Sequence, residues 1–535
     1  MPNPNSRPAP SARRHDLDAL RAIAMLLGIV IHAAFAMLVV PSPTADLGQS
    51  EWVMLIVDVI HGFRMPLFFM VSGFFTAMLW RKRGLGALVR HRFRRIFLPF
   101  ALGMVTVLPL TLGAMFVGGE RGAKVAAARP AQTDIWTAAA RGDVEAMKAH
   151  RAAGANIDEP DPFMVSRPLV WAATGGHVEA ATWLLDQGVD LHAQGDGGFT
   201  ALHAAALMGR PRVVALLLAR GADANAMSRG MTALAMAGPK AEDWVSMLSS
   251  MYGVEQDPQA VSEGRAESAR LLRLHDPEAA DSEPSLADSI AAIPTMHLWF
   301  LWYLCWFVAG FVVVAWILER VSCPRPPAWL VLSPARYLWL IPLTLLPQLF
   351  MAGFGPGPPG GLIVVPNVVM GYYAIFFGFG ALYYTYDDPE GRISQEWRLA
   401  LPLGVLLVLP LGLWLDSTPE RDDWVLYCVL QVTYAWLMIF GSMGLFRRYL
   451  GRERNAMRYT SDASYWIYLA HLPLMFALQM VMQSWPVPPL VIVAINCVVT
   501  TVILLFIYDK LVRYRWLGRF LNGPRTRPAA AQAPR

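Results

Sequence analysis

The stretch ALRAIAMLLGIVIHAAFAMLVV (Ala19–Val40) is long enough to cross a bilayer, and only two of its side chains can carry charge, Arg21 and His32. About 20 apolar residues suffice to span a hydrocarbon core. An ionisable group at that depth is costly and is read as functional by default. At roughly 100° per residue, eleven steps put Arg21 and His32 on one face of a helix, about 16 Å apart along its axis. A cation then stands near one leaflet and an imidazole near the middle of the membrane. That layout suits a group carried from one side to the other.

The rest of the chain agrees with a membrane reading. Of 535 residues, 55% are hydrophobic and 16% charged, against about 25% charged in ordinary soluble domains. Mean hydropathy is +0.39. Ten spans are expected, at about 19–40, 52–80, 97–118, 296–318, 336–352, 361–386, 399–415, 424–446, 463–483 and 488–508. Pro66 predicts a kink or tilt in the long second one. Twenty-seven Lys and Arg fall in the N-terminus, alternate loops and tail, whereas the opposite short loops hold only Arg421. Positive loops stay inside, so both termini are expected to face the cytoplasm. The first run is too long for a signal h-region and is expected to be retained. Cys305, Cys323, Cys428 and Cys497 show neither metal spacing nor a disulfide framework, so packing thiols are expected.

The fold class expected is all-α: a polytopic bundle of about ten helices with an inserted soluble solenoid. The chain divides into a disordered tail (1–14), a leading membrane unit (15–118), the insert (125–290), a trailing membrane unit (293–515) and a cytoplasmic tail (516–535). Residues 119–292 carry 15 basic and 23 acidic residues, so the insert is an acidic unit on the non-cytoplasmic side. It repeats: Gly154-Ala-Asn-Ile-Asp, Gly188-Val-Asp-Leu-His and Gly221-Ala-Asp-Ala-Asn stand 34 and 33 residues apart. Thr200-Ala-Leu-His-Ala-Ala resembles the ankyrin turn-and-helix start. Three repeats (131–163, 164–196, 197–229) are expected. A fourth opens at Met231, and Ala266-Glu-Ser-Ala-Arg-Leu-Leu supplies its second helix. His203 is expected to satisfy turn backbone groups.

The second span carries Asp58, His61, Arg64 and Ser72. Asp58 and His61 share a helix face. Counting from the loop between spans 1 and 2 places Asp58 level with His32 and Ser72 level with Arg21. A His32–Asp58 pair would serve general-base chemistry, or simply hold two helices together. His61 and Arg64 allow the same two readings, as lining of a channel or as packing. Ser72-Gly73 either lines a passage or lets helices approach closely. Arg90-His-Arg-Phe-Arg-Arg95 is a surface anchor or a phosphate site, since Arg forks suit phosphate. His297 opens span 4, and His471 lies deep in span 9.

Together these residues resemble the acyltransferase 3 family of membrane O-acyltransferases. Arg21, ten residues and His32 resemble its first-helix R-x10-H motif. Phe69-Met-Val-Ser-Gly-Phe resembles its F-x-x-S-G-F, Arg92-Phe-Arg-Arg95 its R-x-x-R, and Tyr468-Leu-Ala-His471 its late Y-L-x-H signature. His61-Gly-Phe-Arg-Met-Pro and His297-Leu-Trp-Phe-Leu resemble the branch with the glucan-biosynthesis C proteins. The resemblance implies transfer of an acetyl or succinyl group from cytoplasmic acyl-CoA, a co-substrate rather than a bound cofactor, to an extracytoplasmic carbohydrate. It places the donor's phosphates on Arg92, Arg95 and Arg21, its arm past Ser72, and the chemistry on His32 oriented by Asp58. His61, Arg64, His297 and His471 become acceptor or channel residues. No metal and no nucleic acid are expected; the partners are the bilayer and a protein or glycan gripped by the repeats. The alternatives are a membrane scaffold displaying the repeats and a transporter of an anionic solute.

Overall fold

The computed structural model describes residues 14–39, 47–127, 134–161, 166–195, 198–228, 231–238, 257–276, 295–321, 324–351, 368–416, 423–452, 454–482 and 487–523, with positions 245, 248–249, 254, 293 and 485. Among them the chain is helical, and an isolated bridge between Ser228 and Met231 is the extended pairing found.

Helix α1 (His15–Val39) contains the quoted stretch. Helix α2 (Leu47–Arg92) continues through the π-helical turn Phe93–Phe97 into α3 (Leu98–Ala127). The backbone of α2 breaks at Gly84, with φ 77° and ψ 170°, a conformation that glycine adopts at little steric cost. Arg81–Arg83 thus lie before the break and Arg90–Arg95 after it.

Among the described residues, seven helices are long and apolar enough to cross a membrane by length and composition. One of them, Leu55–Met115, merges the second and third expected spans into a single helical run. The fifth expected span contains Tyr337–Gln348, with two internal prolines, and the sixth contains Val368–Tyr383 among the described residues. Residues 352–367 fall outside the described residues.

The bundle turns apolar side chains outward. Val313, Trp316, Leu338, Phe350, Val498 and Phe506 are all exposed. Such a surface would drive association in water but suits lipid. Inside, Phe69 packs on Phe300, Phe307 and Tyr373 with ring centroids 4.7–5.1 Å apart.

Apolar packing alone does not hold helices together in lipid, so close backbone contact and polar bonds matter. A Cβ on Gly73 would lie 1.9 Å from the Phe377 carbonyl oxygen, and one on Gly380 would lie 1.8 Å from that of Met70. The two glycines therefore seat α2 against Val368–Tyr383, which gives Gly73 its place in the Ser72-Gly73 pair. Tyr434 donates to the Val59 carbonyl at 2.7 Å, and Trp436 to Thr344 at 3.0 Å. Arg336, fully buried against Tyr337 and Phe440, pairs with Glu396. Cys305, Cys428 and Cys497 are free thiols; Cys323 lies outside the described residues.

The insert forms three helix pairs: Ile135–Arg141 with Val144–Ala152, Pro168–Gly175 with Val178–Asp186, and Ala201–Leu207 with Pro211–Ala219. Ala233–Met236 opens a fourth, and Pro258–His275 packs on both it and Pro211–Ala219. The longer helix contains the 266–272 segment, so it supplies the missing second half. His203 caps its own helix through Thr200, and its Nε2 donates to the Ala226 and Met231 carbonyls. Burial holds the His203 imidazole below the ordinary histidine value.

Gly73→Ala is expected to destabilise the bundle by about 1–3 kcal/mol, the usual cost of overpacking. Gly371→Ala, on the same partner helix with open space around it, should be neutral or slightly stabilising. Thermal melting of both variants in detergent checks this.

Candidate active site

Three histidines from three separate helical segments meet inside the bundle. The His32 ring on α1 lies 5.0 Å from His471 on Asn455–Met482 and 6.2 Å from His297, just before Trp299–Leu318. His297 and His471 are themselves 5.0 Å apart. His297 and His471 are buried, whereas His32 keeps accessible surface. The sequence placed these groups separately, in spans 1, 4 and 9; the fold gathers them.

The backbone pins two of the rings. His471 Nδ1 lies 2.8 Å from the Tyr468 carbonyl and 3.1 Å from that of Ile467. A carbonyl can only accept, so Nδ1 carries the proton and Nε2 of the neutral ring is a bare acceptor. His297 is pinned the other way, its Nε2 donating to the Leu469 carbonyl at 3.3 Å. That carbonyl is available because Pro473, four residues on, has no N–H to occupy it. His297 Nδ1 is then the bare acceptor. Both bare nitrogens, His471 Nε2 and His297 Nδ1, are buried without a hydrogen-bond partner. Tyr468 fixes the entry to the His297 turn by donating to the His297 carbonyl at 2.5 Å. Met296, one residue earlier, has φ 45°. A left-handed conformation outside glycine costs about 1–3 kcal/mol and tends to occur at functional sites.

Arg64 brings a cation to the same place. Its guanidinium lies against Gly28, one turn before His32, where a Cβ would come within 2.6 Å of Nη2. Arg64 is 5% exposed, its Nε has no hydrogen-bond partner, and its guanidinium lies 5.7 Å from the centre of the Phe68 ring. His61 and Arg64 both lie within electrostatic reach of His32. The rings gathered beside His32 are Phe35, His297 and His471. Matching depth along two helices does not decide which of their faces meet. Among the described residues, no group of three or more His, Cys, Asp or Glu is arranged to hold a metal ion.

The other end of this face is cationic. Arg21 donates to Ser461 at 3.3 Å, sits 3.8 Å from Asp18 and lies 6.0 Å from the centre of the Phe75 ring. Arg92 is close enough to Arg21 to feel its charge, and its Nε has no partner. Arg95 is partly committed elsewhere: its Nη1 donates to the Phe520 carbonyl at 2.8 Å, closing the helix Trp516–Asn522. Ser72 is half-buried, with its carbonyl accepting from Thr76 at 2.7 Å. Beside them opens a cavity of about 1500 Å³ whose walls include Arg14, Phe75, Arg81, Tyr384, Arg447 and Arg448. Phe75 lines the cavity and also faces Arg21, so the cavity adjoins the cationic foot of α1. Sequence reasoning counted the loop arginines as anchors and missed this cavity, because its walls come from five distant stretches. It also left Tyr468 and Pro473 without roles; a proline two residues after a deep histidine was the available signal.

Two regions of the chain match known families. A family model described as an acyltransferase domain matches residues 14–122 and 273–509, and one described as ankyrin repeats, in three copies, matches 135–228. "Glucans biosynthesis protein C" of Escherichia coli strains SMS-3-5 / SECEC, O1:K1 / APEC and K12 / DH10B is 36% identical over 113 residues. That match covers 21% of this chain and 28% of those relatives.

Pro473→Ala would restore an N–H to the Leu469 carbonyl and draw it from His297. The ring-nitrogen chemical shifts of His297 are expected to change while the melting temperature holds or rises. Unchanged shifts would show that the freed carbonyl does not set the His297 ring.

Proposed function

We propose a reaction from the premise that the chain belongs to the acyltransferase 3 family: it moves an acyl group from acyl-CoA to a hydroxyl of a glycan on the opposite side of the membrane. The observation that carries this is the position of His32. It keeps accessible surface at the meeting point of three helical segments, on the same helix face as a cationic foot beside a large basic cavity.

The donor's phosphates rest among the cations of the cavity and on Arg21 and Arg92, with Arg95 contributing the donors left after its helix contact. Phosphates thereby stay outside the apolar interior, where burying charge is costly, and only the uncharged thioester arm passes Ser72 inward. The acceptor oxygen attacks the thioester carbon as His32 takes its proton. The carbonyl oxygen becomes an oxyanion, which the guanidinium of Arg64 neutralises. Collapse of this intermediate breaks the carbon–sulfur bond. The thiolate takes the proton back from His32, giving free CoA and an ester.

The distribution of Lys and Arg supports termini on the donor side, in the cytoplasm of a bacterial inner membrane, with the repeats outside. The relatives' name, "Glucans biosynthesis protein C", supports a glucan as the acceptor. The repeats would grip the acceptor polymer or a partner protein beside the outer mouth, since ankyrin stacks present extended binding surfaces.

Purified protein in nanodiscs, given acetyl-CoA or succinyl-CoA and a β-glucan oligosaccharide, should release CoA and form an ester. His32→Ala should lower the rate about 10²–10⁴-fold, the range for losing a general base, with melting unchanged. Near-normal rates in a folded variant would remove His32 from the chemistry.

A further inference from the structure

The two pinned imidazoles do not pair with each other, and the three histidines form no metal site. Each ends in a buried nitrogen with a lone pair and no hydrogen. A buried acceptor without a partner is costly, more so at membrane depth, where no bulk water replaces the bond. Two such atoms on rings 5.0 Å apart, one ring also 5.0 Å from His32, form a site short of donors. A ligand that fits must bring hydrogen-bond donors and no negative charge. An acyl thioester has no donor at its reacting end; an alcohol has one, and a polyol has neighbouring ones.

We propose that His297 and His471 form a hydroxyl clamp: His297 Nδ1 and His471 Nε2 each accept an O–H from neighbouring hydroxyls of a polyol. The clamp holds the acceptor in register with His32, which removes the proton from the oxygen that reacts. Both are positioning residues. Their own protons stay on the opposite nitrogens, committed to the Leu469, Tyr468 and Ile467 carbonyls. Neither ring can therefore turn to become a donor without losing a backbone bond. The site thus discriminates between ligands by hydrogen count, accepting hydroxyl-rich ones and rejecting ethers and esters of the same shape. This rests on the acyl-transfer reading for the identity of the reaction but not for binding.

The test uses the full chain in nanodiscs, methyl β-D-glucopyranoside and its monodeoxy analogues as acceptors, and acetyl-CoA as donor. His471→Asn keeps a donor where Nδ1 stood and deletes the acceptor; His471→Gln returns an oxygen near the Nε2 position. His471→Asn should raise KM for the glucoside about five- to tenfold, the usual worth of one hydrogen bond, with kcat within twofold. His471→Gln should recover much of that loss. One deoxy analogue should lose the same factor against the parent protein and nothing further against His471→Asn. A fall in kcat at constant KM would instead make His471 a base and overturn the clamp, as would equal penalties for every deoxy analogue. Saturation-transfer NMR of the glucoside without donor separates the two readings. Binding without transfer keeps the clamp and rejects the reaction; an absence of binding to the folded parent protein overturns the clamp.

Discussion

A polar atom inside a membrane bundle has no bulk water to satisfy it, and the structure around His32 follows from that constraint. Every polar group placed there must find a partner in the protein or receive one from a ligand. Pro473 shows the economy of the device. One missing N–H frees the Leu469 carbonyl, which fixes the His297 proton on Nε2 and leaves Nδ1 bare. The same helix fixes the His471 proton on Nδ1 through the Tyr468 carbonyl. Beside His32 this leaves a buried cation, Arg64, with no carboxylate paired to it among the described residues, and two bare acceptors, and these are the complements of an oxyanion and of hydroxyl hydrogens.

The packing that holds this site is backbone against backbone. Gly73 and Gly380 let α2 and Val368–Tyr383 touch without side chains between them, and Phe69 beside them fills the interior against Phe300 and Tyr373. The F-x-x-S-G-F segment therefore works as a seat for a helix as much as a wall for a passage. At the basic end, Arg95 ties the π-helical turn before α3 to the helix Trp516–Asn522, leaving Arg21, Arg92 and the cavity as the cationic surface.

Much of the fold could be read from the chain because its signals are local. The apolar runs, the spacing of Gly154, Gly188 and Gly221, and the face shared by Arg21 and His32 need no knowledge of distant contacts. The second half of the fourth repeat was also visible at 266–272 despite the interruption. The site was only partly legible. Depth along a helix follows from counting, but which faces meet does not; the imidazoles beside His32 come from His297 and His471, far along the chain. The partner of Arg95 lies 425 residues away, beyond any local pattern. His471 was singled out by its depth; its proton assignment needed the Tyr468 and Ile467 carbonyls in place.

In the proposed reaction a thioester and an alcohol reach His32 from opposite faces of one membrane. Proteoliposomes of known protein orientation, with radiolabelled acyl-CoA outside and an impermeant oligosaccharide acceptor sealed inside, measure it directly. Labelled ester is expected in the lumen only when the face carrying Arg21 and Arg92 looks outward, and none with both reactants on that same face. Labelled ester formed with donor and acceptor together on one face, in the absence of any on the other, would contradict it.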